Sequence, residues 1–91
     1  MHAKEDLLKW YDKSYCLESV KQDGYNLRFV KNQTSQICLE SVKQNGHSLR
    51  FVKNQTEEIC SESLNQDPKN IRYVDIQKYP ELYEKYVFMM K

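Results

Sequence analysis

Three cysteines have the most versatile chemistry in this sequence, since a thiol can bind a metal, form a disulfide or attack a substrate. They are Cys16, Cys38 and Cys60, each 22 residues from the next. A metal site needs ligands that converge on one atom, whereas equivalent side chains on stacked helices lie about 10 Å apart. We therefore expect these cysteines to be buried as small apolar residues, with a metal or disulfide role as the alternative.

Glutamates and arginines recur with the same period. The glutamates are Glu18, Glu40, Glu62 and Glu84, and the arginines are Arg28, Arg50 and Arg72. Close, desolvated carboxylates could do acid/base chemistry, but Lys21 and Lys43 follow two of these glutamates by three residues, which is typical of a solvated helix face. Two interpretations of the arginines stay open: they bridge to the glutamates, or they face a partner.

The two histidines have no catalytic setting in the sequence. A catalytic histidine needs a nucleophile and an orienting group, and neither accompanies His2 or His47. Gly-rich phosphate loops and nucleophile elbows are absent from the sequence as well. We therefore predict that the protein is not an enzyme and that it has no catalytic residue, metal or cofactor.

The elements that position these residues follow from an internal repeat. Residues 12–33 and 34–55 are identical at 15 of 22 positions, and residues 56–77 form a more divergent third copy. A fourth half-copy opens at Lys78. This period predicts an all-α fold, a small α-solenoid of three helix–turn–helix repeats in one domain over residues 1–91. Capping helices are expected at both ends, over residues 3–11 and 79–90.

Each repeat is expected to begin with a ten-residue helix A, SQICLESVKQ in the middle copy. Asp12, Thr34 and Thr56 are good N-cap residues for it. The apolar positions cover a wide arc of its circumference, which fits a helix packed between two neighbours. The cysteines lie on that arc, and the other structural positions of helix A are Val20, Val42 and Leu64.

A shorter helix B is expected to close each repeat. Gly24 and Gly46 suit a left-handed residue just past the end of helix A. After them, Asn26, Ser48 and Asn70 are interpreted as a second set of N-caps. The apolar positions of helix B are Leu27, Leu49 and Ile71. In the third copy Pro68 replaces the glycine, so we expect its turn to differ from the other two.

The composition excludes some classes of protein. Lys and Arg total 14 against 13 Asp and Glu, a net charge of +1 that gives no general case for nucleic-acid binding. No apolar run approaches the roughly 20 residues of a membrane span. The acidic N-terminal segment does not read as a signal peptide, and the cysteine count is odd. We therefore predict a cytoplasmic protein, of a bacterium or of a host cell.

The string ICLESVKQNGHSLRFVKNQT resembles the short helical repeats of a family found in giant viruses and bacteria. That family is catalogued as a domain of unknown function. The motifs that carry the resemblance are Val-Lys-Gln-Asn/Asp-Gly and Leu-Arg-Phe-Val, over roughly residues 12–77. The third copy departs from the pattern where the glycine is lost. The resemblance implies a helical fold and no particular activity.

Positions that vary between the copies are free to specify a partner. They cluster at the turn between the two helices, at Tyr25, His47 and Lys69, although drift on an exposed turn is the simpler explanation. With the three arginines they are the candidate partner-binding residues. We predict a protein-binding module, an adaptor or a small inhibitor of a larger protein machine. The analogy with anti-CRISPR proteins, which are small inhibitors of host defence, rests on size and type alone.

Two other functions are weighed against protein binding. The first is single-stranded RNA binding through columns of arginine, tyrosine and glutamine, the last being Gln22, Gln44 and Gln66. The second is homotypic stacking of the solenoid ends, so that the protein is a monomer or a weak homo-oligomer.

Overall fold

The computed structural model describes residues 7–89, and every regular element in that range is a helix. The ten-residue α-helices in that range are α1 (Lys13–Gln22), α2 (Ser35–Gln44), α3 (Glu57–Gln66) and α4 (Pro80–Met89). The four 3₁₀ helices are η1 (Lys9–Tyr11), η2 (Gly24–Phe29), η3 (Gly46–Phe51) and η4 (Pro68–Tyr73). Consecutive elements pack against each other in chain order, so the predicted all-α stack is confirmed. Among the described residues, no helix is both long and apolar enough to cross a membrane.

The long helix of each repeat begins where the sequence predicts. The carboxylate of Asp12 accepts a hydrogen bond from the backbone N–H of Tyr15 at 2.9 Å. The hydroxyl of Thr34 does the same for the N–H of Ile37 at 3.1 Å. Thr56 repeats this contact in the third copy. These side chains satisfy backbone donors that have no partner within the helix.

The short helix begins earlier than predicted, and other residues cap it. It is a 3₁₀ helix whose N-caps are Asp23, Asn45 and Asp67, each of which accepts a hydrogen bond from the N–H two residues on. The assignment of Asn26, Ser48 and Asn70 as caps was therefore wrong. These three lie inside the 3₁₀ helices, and the amides of Asn26 and Asn70 donate instead to the carbonyls of Ser19 and Ser63.

The glycines are needed for a reason other than the predicted one. In the described residues no glycine has a positive φ, so the left-handed turn at Gly24 and Gly46 was wrong. A Cβ on Gly24 would lie 2.5 Å from the carbonyl oxygen of Ser41 in the next repeat. A Cβ on Gly46 would lie 2.9 Å from the side-chain nitrogen of Asn70. Both glycines thus allow a close approach between neighbouring repeats.

The turn at Pro68 has the same geometry as its counterparts, contrary to expectation. The preceding residue, Asp67, has φ −155° and ψ 111°, against −153° and 109° for Asn45 in the middle copy. Pro68 is the first residue of η4, where a missing N–H costs nothing within the helix. In the middle copy the corresponding N–H, that of Gly46, donates to Gln66 of the next repeat at 2.8 Å. At the equivalent position of α4 stands Phe88, which has no amide to accept such a bond.

The core is one continuous cluster along the stack. The long helices contribute Cys16, Val20, Ile37, Cys38, Val42, Ile59, Cys60 and Leu64; the short helices and the residues after them contribute Leu27, Val30, Leu49, Val52, Ile71 and Val74. The four aromatic and aliphatic residues packed on it at the far end are Tyr79, Leu82, Tyr86 and Val87.

Both predicted capping segments are helical where the structure describes them. Residues 7–11 are helical, and residues 3–6 of the first capping helix lie outside the described range. The second begins at Pro80 and is described to Met89, so its last predicted residue, 90, also lies outside.

Candidate binding surface

The three periodic arginines lie on the 3₁₀ helices with exposed side chains. Because η2 packs on η3 and η3 packs on η4, they form one column over the three repeats. Within residues 7–89, no carboxylate lies within ion-pair distance of any of these guanidinium groups. Glu18 and Glu40 lie 4.0 Å from Lys21 and Lys43 of their own helices. The described structure therefore contains no bridge between the glutamate and arginine columns.

An aromatic ring accompanies every arginine of the column. The guanidinium carbon of Arg28 lies 4.6 Å from the ring centre of Phe29, and that of Arg72 lies 5.1 Å from Tyr73. Arg50 lies between two rings, 5.2 Å from Phe51 and 5.9 Å from Tyr73. Such stacking attracts a cation to the electron-rich face of the ring. We call these six residues, Arg28, Phe29, Arg50, Phe51, Arg72 and Tyr73, the arginine–aromatic column.

The variable residues Tyr25 and His47 are half-buried against the next repeat. The ring of Tyr25 meets that of Phe51 edge-on with centres 6.0 Å apart, and His47 lies 6.0 Å from Tyr73. His47 Nε2 is also 3.9 Å from the carboxylate of Asp67. These residues therefore support the rings of the column from the preceding repeat. They are not freely exposed turn residues.

Lys69, the remaining candidate, has no aromatic ring. Lys69 is exposed, and its ring-bearing counterparts in the other copies are Tyr25 and His47. Its backbone N–H donates to the cap residue Asp67 at 3.0 Å. It adds a positive charge beside Arg72 on the same short helix. His2 lies outside the described residues.

Sequence reasoning missed the rings as members of the surface. Phe29, Phe51 and Tyr73 directly follow the arginines in every copy, and that constant adjacency could have identified them. Trp10 extends the aromatic run beyond the first repeat, since its ring lies 5.1 Å from Phe29. Trp10 precedes the first copy, but the segment Leu8-Lys9-Trp10-Tyr11 resembles an isolated helix B, and that likeness could have identified it.

Two members of the glutamine column form hydrogen bonds between neighbouring repeats. Gln44 accepts a hydrogen bond from the N–H of Gly24. Gln66 accepts one from the N–H of Gly46 and donates to the carbonyl of Val42 at 2.6 Å. These two amides join one repeat to the next.

A second glutamine set, which the sequence analysis overlooked, does the same at the other side of each repeat. Gln33 donates to the carbonyl of Phe51 at 2.8 Å and accepts from the N–H of Lys53 at 3.0 Å. Gln55 makes the equivalent contacts with Tyr73 and Asp75.

The cysteines lie in the core, and each thiol faces an oxygen acceptor. Cys38 Sγ is 3.4 Å from Oε1 of Gln33, and Cys60 Sγ is 3.3 Å from Oε1 of Gln55. Burial raises the pKa of both thiols to about 11. Burial, assisted by Asp12, also raises the pKa of Cys16. A protonated, buried thiol is a poor nucleophile and a poor metal ligand.

Residues 7–89 contain no group of three His, Cys, Asp or Glu side chains placed to hold a metal ion. An open groove of about 510 Å³ lies at the start of α4, with Glu57 and Lys78 among its lining residues. The amine of Lys78 donates to the carbonyl of Gln55 and, at 3.0 Å, to the side chain of Asn54. Through these hydrogen bonds Lys78 holds the segment between η4 and α4 against the end of the second repeat.

Comparison with known proteins agrees with the resemblance noted in the sequence. Residues 12–56 match the family described as a domain of unknown function, DUF4116. The match covers the first two repeats and ends where the divergent third copy begins. No curated protein and no solved structure matches the chain.

Proposed function

We propose that this protein is a non-catalytic recognition module that binds a protein partner through the arginine–aromatic column. The observation that carries the proposal is the column itself: three exposed arginines, one per repeat, each stacked on a ring and none paired with a carboxylate in the described residues. Exposed arginines and aromatic rings are the residue types that dominate binding energy at protein interfaces.

Stacking makes these arginines better suited to binding than free ones. A free arginine side chain loses on the order of 2 kcal/mol of rotamer entropy when it is fixed in a complex. The rings of Phe29, Phe51 and Tyr73 already restrict the guanidinium groups before a partner arrives. Such preorganisation lowers the free-energy cost of association.

A single-stranded RNA is the second candidate, favoured by the same rings. One aromatic ring per repeat could stack one base, and arginines would contact the phosphates. Against this, the side-chain oxygens of Gln44 and Gln66 and the amide N–H of Gln66 are engaged in contacts between repeats, which leaves the glutamine column fewer groups with which to read bases. The net charge of +1 also supplies little of the electrostatic attraction on which RNA binding depends.

In a cell such a module would be an adaptor or a small inhibitor that occludes a larger protein machine. The comparison with anti-CRISPR proteins rests on size and lack of catalytic residues alone. Homotypic stacking is the third candidate, because Phe88 and Met89 are exposed at one end of the stack and Leu7 and Leu8 at the other.

The test is affinity capture from the native lysate with a matched pair of variants. One variant replaces the three column arginines with alanine; the control replaces the exposed lysines Lys13, Lys21 and Lys43 of the long helices, which removes the same charge. We expect a protein partner to be enriched by the wild type and the lysine variant and lost from the arginine variant. Circular dichroism first establishes that both variants fold.

Retention of the same partner by a folded arginine variant would overturn the proposal. Salt-dependent binding of single-stranded RNA that the arginine variant abolishes would favour the second candidate instead.

A further inference from the structure

Charge is segregated between the two kinds of helix. The 3₁₀ helices η2, η3 and η4 carry four cations and no carboxylate; the cations are Arg28, Arg50, Lys69 and Arg72. The helices α1, α2 and α3 carry three lysines but five glutamates. The cap residues Asp23 and Asp67 lie next to the short helices, and their carboxylates accept backbone N–H bonds. A nearly neutral chain thus presents a positive layer, which favours an acidic partner.

The spacing of the arginines constrains the shape of that partner. The guanidinium carbons of Arg50 and Arg72 lie 5.9 and 5.1 Å from the same ring centre, that of Tyr73. They can therefore be no more than about 11 Å apart. This bound agrees with the roughly 8–10 Å that separates packed helices. A polyproline II segment advances about 3.1 Å per residue with three residues per turn, so every third side chain returns to the same face after about 9 Å. One repeat of the column therefore matches every third residue of a segment in this extended conformation.

The orientation of the guanidinium groups determines which chemistry they offer. Each guanidinium carbon lies 4.6 to 5.2 Å from the centre of the ring that follows it in the chain, that of Phe29, Phe51 or Tyr73. The N–H donors of a guanidinium point outward in its plane, so stacking leaves them free for hydrogen bonds. A planar fork of N–H donors matches a carboxylate, which accepts two parallel hydrogen bonds.

We propose that the arginine–aromatic column binds an extended acidic segment of its protein partner, with a Glu or Asp at every third residue and one carboxylate per repeat. This inference rests on the proposed function and specifies its partner. The half-buried rings between the arginines would contact the apolar parts of the same segment. Tyr25 and His47 act as positioning residues, because they hold the rings of Phe51 and Tyr73 from the preceding repeat.

The test uses two synthetic peptides of identical composition with three glutamates each. In the first, the glutamates stand at every third position; in the second, they are adjacent. Each is titrated into isotope-labelled protein, and the Nε–H resonances of the column arginines are followed by NMR. We expect the spaced peptide to shift all three resonances and to bind roughly tenfold more tightly than the adjacent one, since only it can reach every repeat at once.

Two variants separate recognition from simple charge attraction. Replacing the three arginines with lysine keeps the charge but removes the planar fork, and we expect the spaced peptide to lose roughly tenfold in affinity. Replacing Lys13, Lys21 and Lys43 with alanine removes as much charge from the long helices and should leave the affinity within about twofold at physiological salt. Equal affinity for both peptides, or full binding by the lysine-substituted column, would overturn the inference.

Failure of this inference can be told apart from failure of the proposed function. If the capture experiment yields an arginine-dependent protein but neither peptide binds, the acidic-segment inference fails and protein recognition stands. If an oligouridylate RNA shifts the arginine resonances and the peptides do not, both proposals give way to RNA binding.

Discussion

Each cysteine thiol points at an acceptor that also ties two segments of the chain together. In the second and third repeats this acceptor is the side-chain oxygen of Gln33 or Gln55. In the first repeat it is the backbone oxygen of Trp10, 3.2 Å from Cys16 Sγ, which also accepts from the N–H of Lys31 at 3.0 Å. The carbonyl of Trp10 thus replaces a glutamine where the repeat pattern begins. These contacts explain why a cysteine recurs where a plain apolar residue would also fill the space.

The thiols should make the free energy of unfolding fall as the pH rises above about 9. Burial raises the pKa of Cys38 and Cys60 from 9.0 to about 11, so the folded state favours the protonated thiol. Their contribution is complete below about pH 9 and is lost as pH rises to about 11, on the order of 2 kcal/mol per thiol. Urea unfolding at a series of pH values should show this fall in the wild type.

The control is a double variant, Cys38→Ala with Cys60→Ala. All other ionisable groups are the same in both proteins, so the difference between the two curves reports the thiols. The double variant starts from a lower stability, because it lacks two buried sulfur atoms, but it should lose less between pH 9 and 11. Parallel curves would contradict the assignment of protonated, buried thiols.

At the scale of the helical elements, each glycine brings a short helix against the long helix of the next repeat. The hydroxyl of Ser41 donates to the carbonyl of Gly24 at 2.7 Å, and Ser63 donates equally to Gly46. Gln44 and Gln66 accept from the N–H groups of the same two glycines. Each glycine is therefore bound at both of its backbone polar groups by the neighbouring helix. A Cβ at either position would come within 3 Å of an atom of the next repeat.

The two glycines should differ in their tolerance of alanine. At Gly24 the new Cβ would lie 2.5 Å from a backbone oxygen, that of Ser41, so the helices themselves must move. At Gly46 the nearest atoms are the ends of the Asn70 and Gln66 side chains, which can turn aside. We expect Gly24→Ala to destabilise by about 1–3 kcal/mol and Gly46→Ala by less. The difference is measurable by urea unfolding.

His47→Ala serves as the reference for the same turn. It removes one ring contact, that with Tyr73, at a cost of about 1 kcal/mol or less. A Gly24→Ala protein as stable as the wild type would show that the repeats do not approach as closely as described.

At the scale of the whole molecule, stability depends on contacts between neighbouring units. Each short helix is too brief to be stable alone, and it packs on the long helix of its own repeat and on that of the next. The core is accordingly shared, with Leu49 of the middle repeat fully buried and Leu82 of α4 only partly so. A destabilising substitution in the middle repeat should therefore lower the stability of every repeat, whereas one in α4 should affect only the end of the stack.

Truncating a leucine side chain to alanine at two positions tests this coupling. Leu49→Ala should destabilise the protein by about 2–5 kcal/mol, a large share of the roughly 5–14 kcal/mol expected for a chain of this size. Leu82→Ala should cost about 1 kcal/mol or less, because its side chain is already partly exposed. Thermal unfolding followed by circular dichroism measures both. Equal losses in the two variants would indicate that the stack does not behave as a chain of coupled repeats.

The helices of this protein and their order along the chain could be predicted from the amino-acid sequence alone. The 22-residue period located three equivalent units, and the N-caps Asp12, Thr34 and Thr56 set the first residue of each long helix. These signals are local, since a cap residue contacts a backbone group only three residues away. The apolar positions of both helices followed from the same period.

The contacts that the glycines, the glutamines and the rings make between repeats are visible only in the packed structure. Their partners lie about one repeat away in the chain, as Gln66 does from Gly46. Whether such groups meet depends on the distance and angle at which two repeats pack, which no rule based on a few neighbouring residues supplies. For the same reason the arginines could be placed on one column by their period, but their stacking on Phe29, Phe51 and Tyr73 could not be predicted before the repeats were packed.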